Sequence, residues 1–161
     1  RYCFAGRQAY FVCPLVEESE KLELKSAVEY SEDIKNKYFR NYSVGLLHGK
    51  MKADQKNEVM YRFREKEIQI LVSTTVIEVG VNIPNATYMV IEDADRYGMA
   101  QLHQLRGRVG RGEHQSYCIL ISDTENEAAI ERLKYMTKTE NGFEVAEKGE
   151  CKILAFTFFM Y

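Results

Sequence analysis

Short apolar stretches alternate with longer amphipathic segments along the chain. Five of the short stretches are rich in β-branched and aromatic residues, and we expect each of them to form a buried strand. They are QAYFVCP (8–14), SVGLLH (43–48), IQILVST (68–74), ATYMVIE (86–92) and SYCILIS (116–122). Between and after them, apolar residues recur at helical spacing over 19–40, 53–66 and 98–110 and beyond Thr124.

Each predicted helix carries its apolar residues on one side. Thr124 and Glu127 have the spacing of a capping box, which predicts that the last helix starts at this point. The side chains expected to face inward are Ala27, Ile34, Tyr38, Val59, Met60, Phe63, Leu102, Leu105, Val109, Ala129, Ile130, Leu133 and Met136.

The element order βαβαββαβα indicates an α/β fold. Strands that are apolar on both faces are typical of a parallel sheet covered on both sides by helices. Ligands of such sheets gather at the carboxyl ends of the strands. We therefore expect a functional site among the loops 14–19, 48–52, 73–84, 93–98 and 110–115.

Composition limits the classes of partner. The 161 residues suit one domain with at most a short extension, and the net charge of −2 means that any anion site must be local. No apolar run approaches the roughly 20 residues of a membrane span. The start at Arg1 without a signal-like segment indicates a piece of a longer chain. The cysteines are scattered, which favours reduced thiols in a cytosolic protein and no metal site; they are Cys3, Cys13, Cys118 and Cys151.

The stretch QLHQLRGRVGRG (101–112) is the clearest candidate site. Continued as a helix, it places Gln101, Gln104, Arg108 and Arg111 on one narrow stripe. Gly107 and Gly110 would leave room for a phosphate or another surface to approach the arginines. Planar guanidinium groups bind phosphate oxygens through forked hydrogen bonds. The alternative is a solvated basic helix end with glycine caps.

Two further loops carry polar groups suited to phosphate. In STTVIEVGVNIP (73–84), Ser73, Thr74 and Thr75 end a strand, and hydroxyls there suit phosphate or ribose contacts or, alternatively, a helix cap. In LLHGKMK (46–52), the interpretation is a contact with a nucleic-acid backbone, and the alternative is a structural turn; its polar residues are His48, Gly49, Lys50 and Lys52.

A phosphate-cradling loop of the form G-x-x-x-x-G-K-[ST] is missing from the sequence. Glu92, Asp93 and Asp95 are the nearest candidates for acids that would serve magnesium. Arginines without such a loop suggest half of a composite ATP site, in which they act as fingers on a nucleotide held elsewhere. A free-standing small-nucleotide enzyme is the less favoured alternative.

Four segments carry a resemblance to a known family. They are GRQAYFVCPLVEESEKL, VGLLHGKMK, the long run from ILVSTTVIEVGVNIP to SYCILISD, and ERLKYM with NGFEVAEK. Over about residues 6–148 the chain resembles the second RecA-like domain of the RecG family of bacterial ATP-dependent DNA helicases, in superfamily two. The transcription-repair coupling factors are the nearest alternative family, and a passive nucleic-acid-binding module is the alternative from another class.

The resemblance implies a fold and a set of roles. The fold is a RecA-like three-layer sandwich with a mostly parallel central sheet, similar to P-loop NTPases but lacking the P-loop. Gln104, Arg108 and Arg111 would be catalytic, with both arginines meeting the γ-phosphate of ATP. Gly80 and Asn82 would lie near the nucleotide. DNA contacts would come from His48, Gly49, Lys50, Ser73, Thr74 and Thr75.

The resemblance also implies partners and limits. ATP and Mg²⁺ would be held mainly by the first RecA-like domain, so the isolated domain would be nearly inactive. The whole protein would remodel branched DNA in the bacterial cytoplasm, with a wedge domain as a further partner. Residues 1–148 would form the helicase C-terminal domain. The family's coupling segment is replaced in 149–161 by GECKILAFTFFMY, which is a terminal strand, a truncation or a frame-shifted end.

Overall fold

The structure, a computed structural model, describes residues 6–13, 20–74, 82–138 and 151–157. For 20–23 and 151–157 it describes the backbone alone. The chain divides into two compact units, Arg1–Val81 and Asn82–Tyr161. Each unit has its own strands and its own helices.

The first unit is built on three parallel strands. Its elements are β1 (Gln8–Val12), α1 (Glu20–Asp33), a π-helical turn (Ile34–Tyr38), β2 (Val44–Leu47), α2 (Ala53–Arg64) and β3 (Ile70–Ser73). β3 lies between β2 and β1 and pairs in parallel with both. The register places Val72 beside Phe11 on one side and beside Leu46 on the other.

Burial explains why β1 and β3 form the centre of this unit. Every residue of the two strands is buried, as parallel strands covered on both faces require. From α2, Met60 and Phe63 pack inward as predicted, while Val59 is half-buried. The ring of Phe63 meets the ring of Tyr10 edge-on, with 5.0 Å between centroids.

Tyr38 contradicts the predicted inward stripe of the first helix. Ala27 and Ile34 are buried as expected, but Tyr38 is 71% exposed. The helix widens after Asp33, and the N–H of Phe39 bonds to the carbonyl of Ile34, five residues back. Because a π-helical turn holds more residues than an α-helical turn, Tyr38 is rotated away from the buried side.

The second unit also contains three parallel strands. Its elements are β4 (Ala86–Ile91), a 3₁₀ turn (Ala94–Arg96), α3 (Met99–Arg106), β5 (Ser116–Ser122), α4 (Glu127–Lys138) and β6 (Cys151–Thr157). β5 lies between β4 and β6 and pairs in parallel with both. The element order predicted from the sequence is confirmed, and β6 and the two short turns are added to it.

The prediction that all strands are buried on both faces is wrong for β5, and β2 is largely half-buried as well. In β5, burial alternates along the strand, with Cys118 and Leu120 buried and Tyr117 only half-buried. The ring of Tyr117 stacks on Tyr88 of β4 at 5.5 Å between centroids. This cross-strand aromatic pair lies on the more open face of the strand and stabilises it there.

The last helix begins differently from the prediction. Asn126, not Thr124, caps it: Asn126 Oδ1 accepts the N–H of Ala129 at 3.0 Å. The Thr124 hydroxyl accepts the N–H of Asn126 instead, at 3.3 Å. Leu133 and Met136 are buried as predicted, while Ala129 and Ile130 are half-buried.

The tail after residue 148 contains a strand. Part of GECKILAFTFFMY forms this strand, since Cys151–Thr157 pairs with β5 over its full length. The register joins Ser116 to Cys151 at one end and Ser122 to Thr157 at the other.

Candidate nucleotide and DNA interface

The arginine segment, residues 106–112, leaves the end of α3. The helix was predicted over 98–110, but it ends at Arg106. The N–H of Gly107 still bonds to the carbonyl four residues back, whereas the N–H of Arg108 bonds to Leu105, three residues back. This tightening ends the helix. The predicted continuous stripe of Gln101, Gln104, Arg108 and Arg111 is therefore wrong, because both arginines lie beyond the helix.

The apolar side of the same stretch is confirmed. Leu102, Leu105 and Val109 are 0%, 6% and 4% exposed. Val109 lies past the helix and still packs inward, which fixes the path of the arginine segment. The polar residues are more open to solvent: Gln104 and Arg111 are exposed, and Arg108 is half-buried.

The glycines of the arginine segment serve different purposes. Gly110 has φ +82°, a conformation that other L-residues rarely adopt. A Cβ on Gly112 would lie 2.6 Å from the carbonyl oxygen of Pro84, so this position has no room for a side chain. Gly107 has φ −64° and an ordinary distance of 3.4 Å from its would-be Cβ to the nearest oxygen. Within the arginine segment, Gly107 is therefore the one glycine with neither a positive φ nor a blocked Cβ position.

Arg111 is held by its own backbone. Its Nε donates a hydrogen bond to the carbonyl oxygen of Gly107 at 2.8 Å. Among the residues that the structure describes, no carboxylate forms an ion pair with Arg111. Its charge is therefore not neutralised within this part of the chain, and its terminal nitrogens can meet an external anion.

The acidic residues after β4 take part in structural contacts. Asp93 adopts a left-handed backbone with φ 49°, and Arg96 lies 3.8 Å from its carboxylate. Burial raises the pKa of Asp93; Arg96 opposes that shift, and Asp123 and Asp95 add to it. The carboxylate of Asp95 accepts the hydroxyl of Ser122 at 2.5 Å.

Asp95 also ties α4 to the turn after β4, because the Arg132 guanidinium donates to its backbone carbonyl. Within the described ranges, no three His, Cys, Asp or Glu side chains form a group suited to a metal ion. This network could not be predicted from the sequence, because Ser122 and Arg132 lie far along the chain from Asp95.

The segment 73–84 is described at its two ends. Ser73 and Thr74 are 0% and 4% exposed. The Ser73 hydroxyl donates to the carbonyl of Thr74 at 2.7 Å, so this hydroxyl has an internal partner. Asn82 is exposed. Thr75 and Gly80 lie outside the described residues, and the roles expected for all five residues remain predictions.

The loop after β2 presents its polar residues at the carboxyl end of a parallel strand. The N–H of Met51 donates to the carbonyl of His48 at 3.2 Å, and this bond closes a tight turn. Gly49 and Lys50 are exposed and His48 is half-buried. The turn therefore presents a lysine to solvent, and the DNA contacts expected of His48, Gly49 and Lys50 remain predictions.

A match to a family model identifies the family of this chain. The model described as the helicase conserved C-terminal domain matches residues 5–113. The chain belongs to this family. Its similarity extends to curated proteins named ATP-dependent DNA helicase RecG, and the resemblance drawn from the sequence motifs is confirmed.

Three of these relatives show the extent of the match. Identity is 56% over 143 residues with the protein of Bacillus subtilis (strain 168) and 60% over 144 residues with that of Staphylococcus epidermidis (strain RP62A). Each match covers 89% of this chain and 21% of the relative. The protein of Synechocystis is 54% identical over 142 residues, which cover 88% of this chain and 17% of the relative. The chain thus spans about a fifth of the length of these relatives.

Solved structures confirm the fold. The yeast DEAD-box splicing factor Prp28 is similar with a TM-score of 0.64 and 22% identity, over 81% of this chain and 26% of that chain. The Mss116p DEAD-box helicase domain 2 bound to an RNA duplex has a TM-score of 0.64 and 19% identity, over 91% of this chain and 52% of that one. The α/β, RecA-like fold expected from the sequence is confirmed. Within the described residues, no helix is long and apolar enough to span a membrane.

Proposed function

We propose that this chain is the C-terminal half of the motor of an ATP-dependent DNA helicase that remodels branched DNA in the bacterial cytoplasm. The observation that carries the proposal is the Arg111 guanidinium, which is exposed, anchored through Nε and without a carboxylate partner among the described residues. The family of the chain and its relatives named ATP-dependent DNA helicase RecG also support the proposal, because an ATP-dependent enzyme needs cationic groups near the phosphates.

The arginines supply positive charge to a triphosphate that another domain holds. Arg108 and Arg111 would meet the γ-phosphate, with Gln104 beside them, and Gly80 and Asn82 would lie near the nucleotide. ATP, when bound, would supply the phosphoanhydride bond whose hydrolysis drives the motor. The donor set fits this role, because guanidinium forks match phosphate oxygens. As the family resemblance implies, Mg²⁺ would be held mainly by the first RecA-like domain.

The loops at the strand ends of the first unit would contact the DNA backbone. Lys50 is exposed on a tight turn and would meet a phosphate, with His48 and Gly49 beside it. Ser73, Thr74 and Thr75 complete this set. The side chains of Ser73 and Thr74 are buried, and the N–H of Thr74 donates to the carbonyl of Leu47, so a phosphate contact at Thr74 would have to replace this bond. We place the domain at residues 1–148, with 149–161 as its tail, and the wedge domain elsewhere in the longer protein.

Mixing this chain with the first RecA-like domain tests whether ATP hydrolysis needs both domains. The chain alone is expected to turn over ATP at a negligible rate and to bind it weakly, because its sequence lacks a phosphate-cradling loop. Adding the first RecA-like domain of the same protein together with forked DNA should produce turnover. Tight ATP binding by the isolated chain would overturn the proposal and favour a free-standing nucleotide enzyme. DNA binding without any turnover in the reconstituted mixture would favour a passive binding module.

A further inference from the structure

The hydrogen bond between Arg111 and Gly107 uses a carbonyl that the helix leaves open. The last four carbonyls of an α-helix have no partner within the helix, and arginine side chains near the end can satisfy them. The carbonyl of Gly107, the C-cap residue of α3, accepts the Nε–H of Arg111 at 2.8 Å. The negative end of the helix dipole also favours a cation at this place.

This contact leaves a defined part of the guanidinium for a ligand. An arginine has five N–H donors in one rigid plane, and one of them lies on Nε. With Nε bound to the backbone, the plane of the group is fixed and the terminal nitrogens remain for an anion. The Arg111 side chain is therefore already ordered before a phosphate binds.

The backbone of Gly110 makes the contact possible. Its φ of +82° turns the chain back, so that Arg111 lies close to the helix end that the chain has just left. The turn is anchored on both sides, by the buried side chain of Val109 and by the close approach of Gly112 to Pro84. A residue with a Cβ at position 110 would disfavour this turn.

We propose that Gly110 and the Gly107 carbonyl are positioning groups, which order the Arg111 guanidinium before the ATP-bearing domain meets it. The effect on ATP hydrolysis rests on the proposed function, whereas the fixed position of the Arg111 guanidinium is a property of this chain alone. Immobilising a side chain of this length in advance changes binding or rate by roughly twofold to tenfold. Loss of the arginine itself is expected to be far larger, about 10³–10⁵ in rate.

Nuclear magnetic resonance of the chain tests the order directly. The exchange of the Arg111 Nε–H with water is measured on ¹⁵N-labelled chain, and the signal is identified by its absence in Arg111→Lys. We expect exchange to be slower than in free arginine by roughly twofold to tenfold, because the donor is hydrogen-bonded. Exchange as fast as in free arginine in the wild-type chain would overturn the proposal, whatever the variants do.

Two glycine variants separate positioning from backbone strain. Gly110→Ala should raise the Nε–H exchange rate to that of free arginine. Gly6→Ala is the matched control, since Gly6 also has positive φ, +79°, and a Cβ added there would have no atom within 4 Å. It should leave Arg111 exchange unchanged. Slow exchange retained in a folded Gly110→Ala would overturn the role of Gly110.

If Gly110→Ala does not fold, Gly110→Asn replaces it, because Asn tolerates left-handed backbone. The Asn variant should keep the slow exchange of the Arg111 Nε–H, and fast exchange in this variant would overturn the role of Gly110.

ATP turnover in the longer protein completes the test. Gly110→Ala should lower kcat by roughly twofold to tenfold, and an unchanged kcat would overturn the positioning role. Arg111→Ala, in parallel, reports on the proposed function alone. If it leaves turnover intact, the proposed function fails while the Nε–H result stands. If it abolishes turnover while the wild-type Nε–H exchanges freely, the positioning role fails and the proposed function stands.

Discussion

Gly112→Ala tests how tightly the arginine segment packs against the residues before β4. A Cβ at this position would lie 2.6 Å from the Pro84 oxygen and 3.4 Å from the Pro84 carbonyl carbon. Carbon and oxygen ordinarily meet at roughly 3.3–3.6 Å. The obstacle is backbone, so it cannot move aside as a flexible side chain could, and the chain itself must shift.

The magnitude follows from the size of this clash. Forcing an extra carbon into a filled space typically lowers the free energy of unfolding by about 1–3 kcal/mol. For a chain of this length, each kcal/mol lowers Tm by roughly 2–4 °C. We therefore expect Gly112→Ala to lower Tm by roughly 2–12 °C.

Gly107→Ala is the matched variant, with the same added atom in the same segment. Its Cβ would lie 3.4 and 3.5 Å from the carbonyl oxygens of His103 and Gln104, and its φ of −64° suits alanine. We expect it to raise the free energy of unfolding by about 0.4–1 kcal/mol. Thermal unfolding followed by circular dichroism measures both variants. Equal Tm values for the two would refute the reasoning from the backbone contact.

Three further changes test other parts of the fold by denaturant unfolding. Because burial raises the pKa of Asp93, the folded chain binds its proton more tightly, and this residue's contribution to stability falls as pH rises through the interval between the unfolded and folded pKa values. Asp93→Asn should therefore stabilise the chain at pH 7 more than at pH 4, and a gain independent of pH would contradict this. Asn126→Ala should lower the free energy of unfolding by about 1 kcal/mol through loss of the cap, whereas Thr124→Ala should change it much less; the reverse order would restore Thr124 as the cap. Gln8→Leu should lower it by about 1–3 kcal/mol, because the Gln8 amide donates to two buried carbonyls, those of Phe63 and Ile68; a neutral result would show that these carbonyls find other partners.

The strands and the order of the elements could be predicted from the sequence, because their signals are local. SYCILIS has a run of apolar residues and flanking polar residues that mark its ends, and the strand runs over Ser116–Ser122 as predicted. The tail could not be assigned from its composition alone. Its identity as a strand depends on pairing with β5, a contact between residues far apart in sequence.

The end of α3 shows why periodicity overestimates a helix. Leu102, Leu105 and Val109 keep helical spacing, and all three are buried, yet the helix ends at Arg106. The tightened turn that follows still directs Val109 inward, so the apolar pattern continues past the last helical residue. The predicted stripe of arginines failed for this reason.

The glycines and arginines of the candidate site were found from the sequence, but their separate purposes were not. The positive φ of Gly110 and the contact of Gly112 with Pro84 depend on the path of the folded chain. The same holds for the bond between Arg111 and the Gly107 carbonyl, which could form only because the helix ends early. Thr74 is a similar case, since its position at a strand end is evident in the sequence but its burial is not.

The central claim is that this chain contributes positive charge to a triphosphate held by another domain. The most direct measurement is kcat for ATP hydrolysis by the full-length protein at saturating ATP and forked DNA, in Arg111→Ala and in Arg64→Ala. Arg64 is an exposed arginine in the last turn of α2, paired with Glu65 at 3.4 Å and not assigned to ATP or DNA, so its removal is a control for the loss of an exposed arginine. The account predicts a loss of about 10³–10⁵ in kcat for Arg111→Ala and little change for Arg64→Ala. Equal kcat values in the two variants would contradict it.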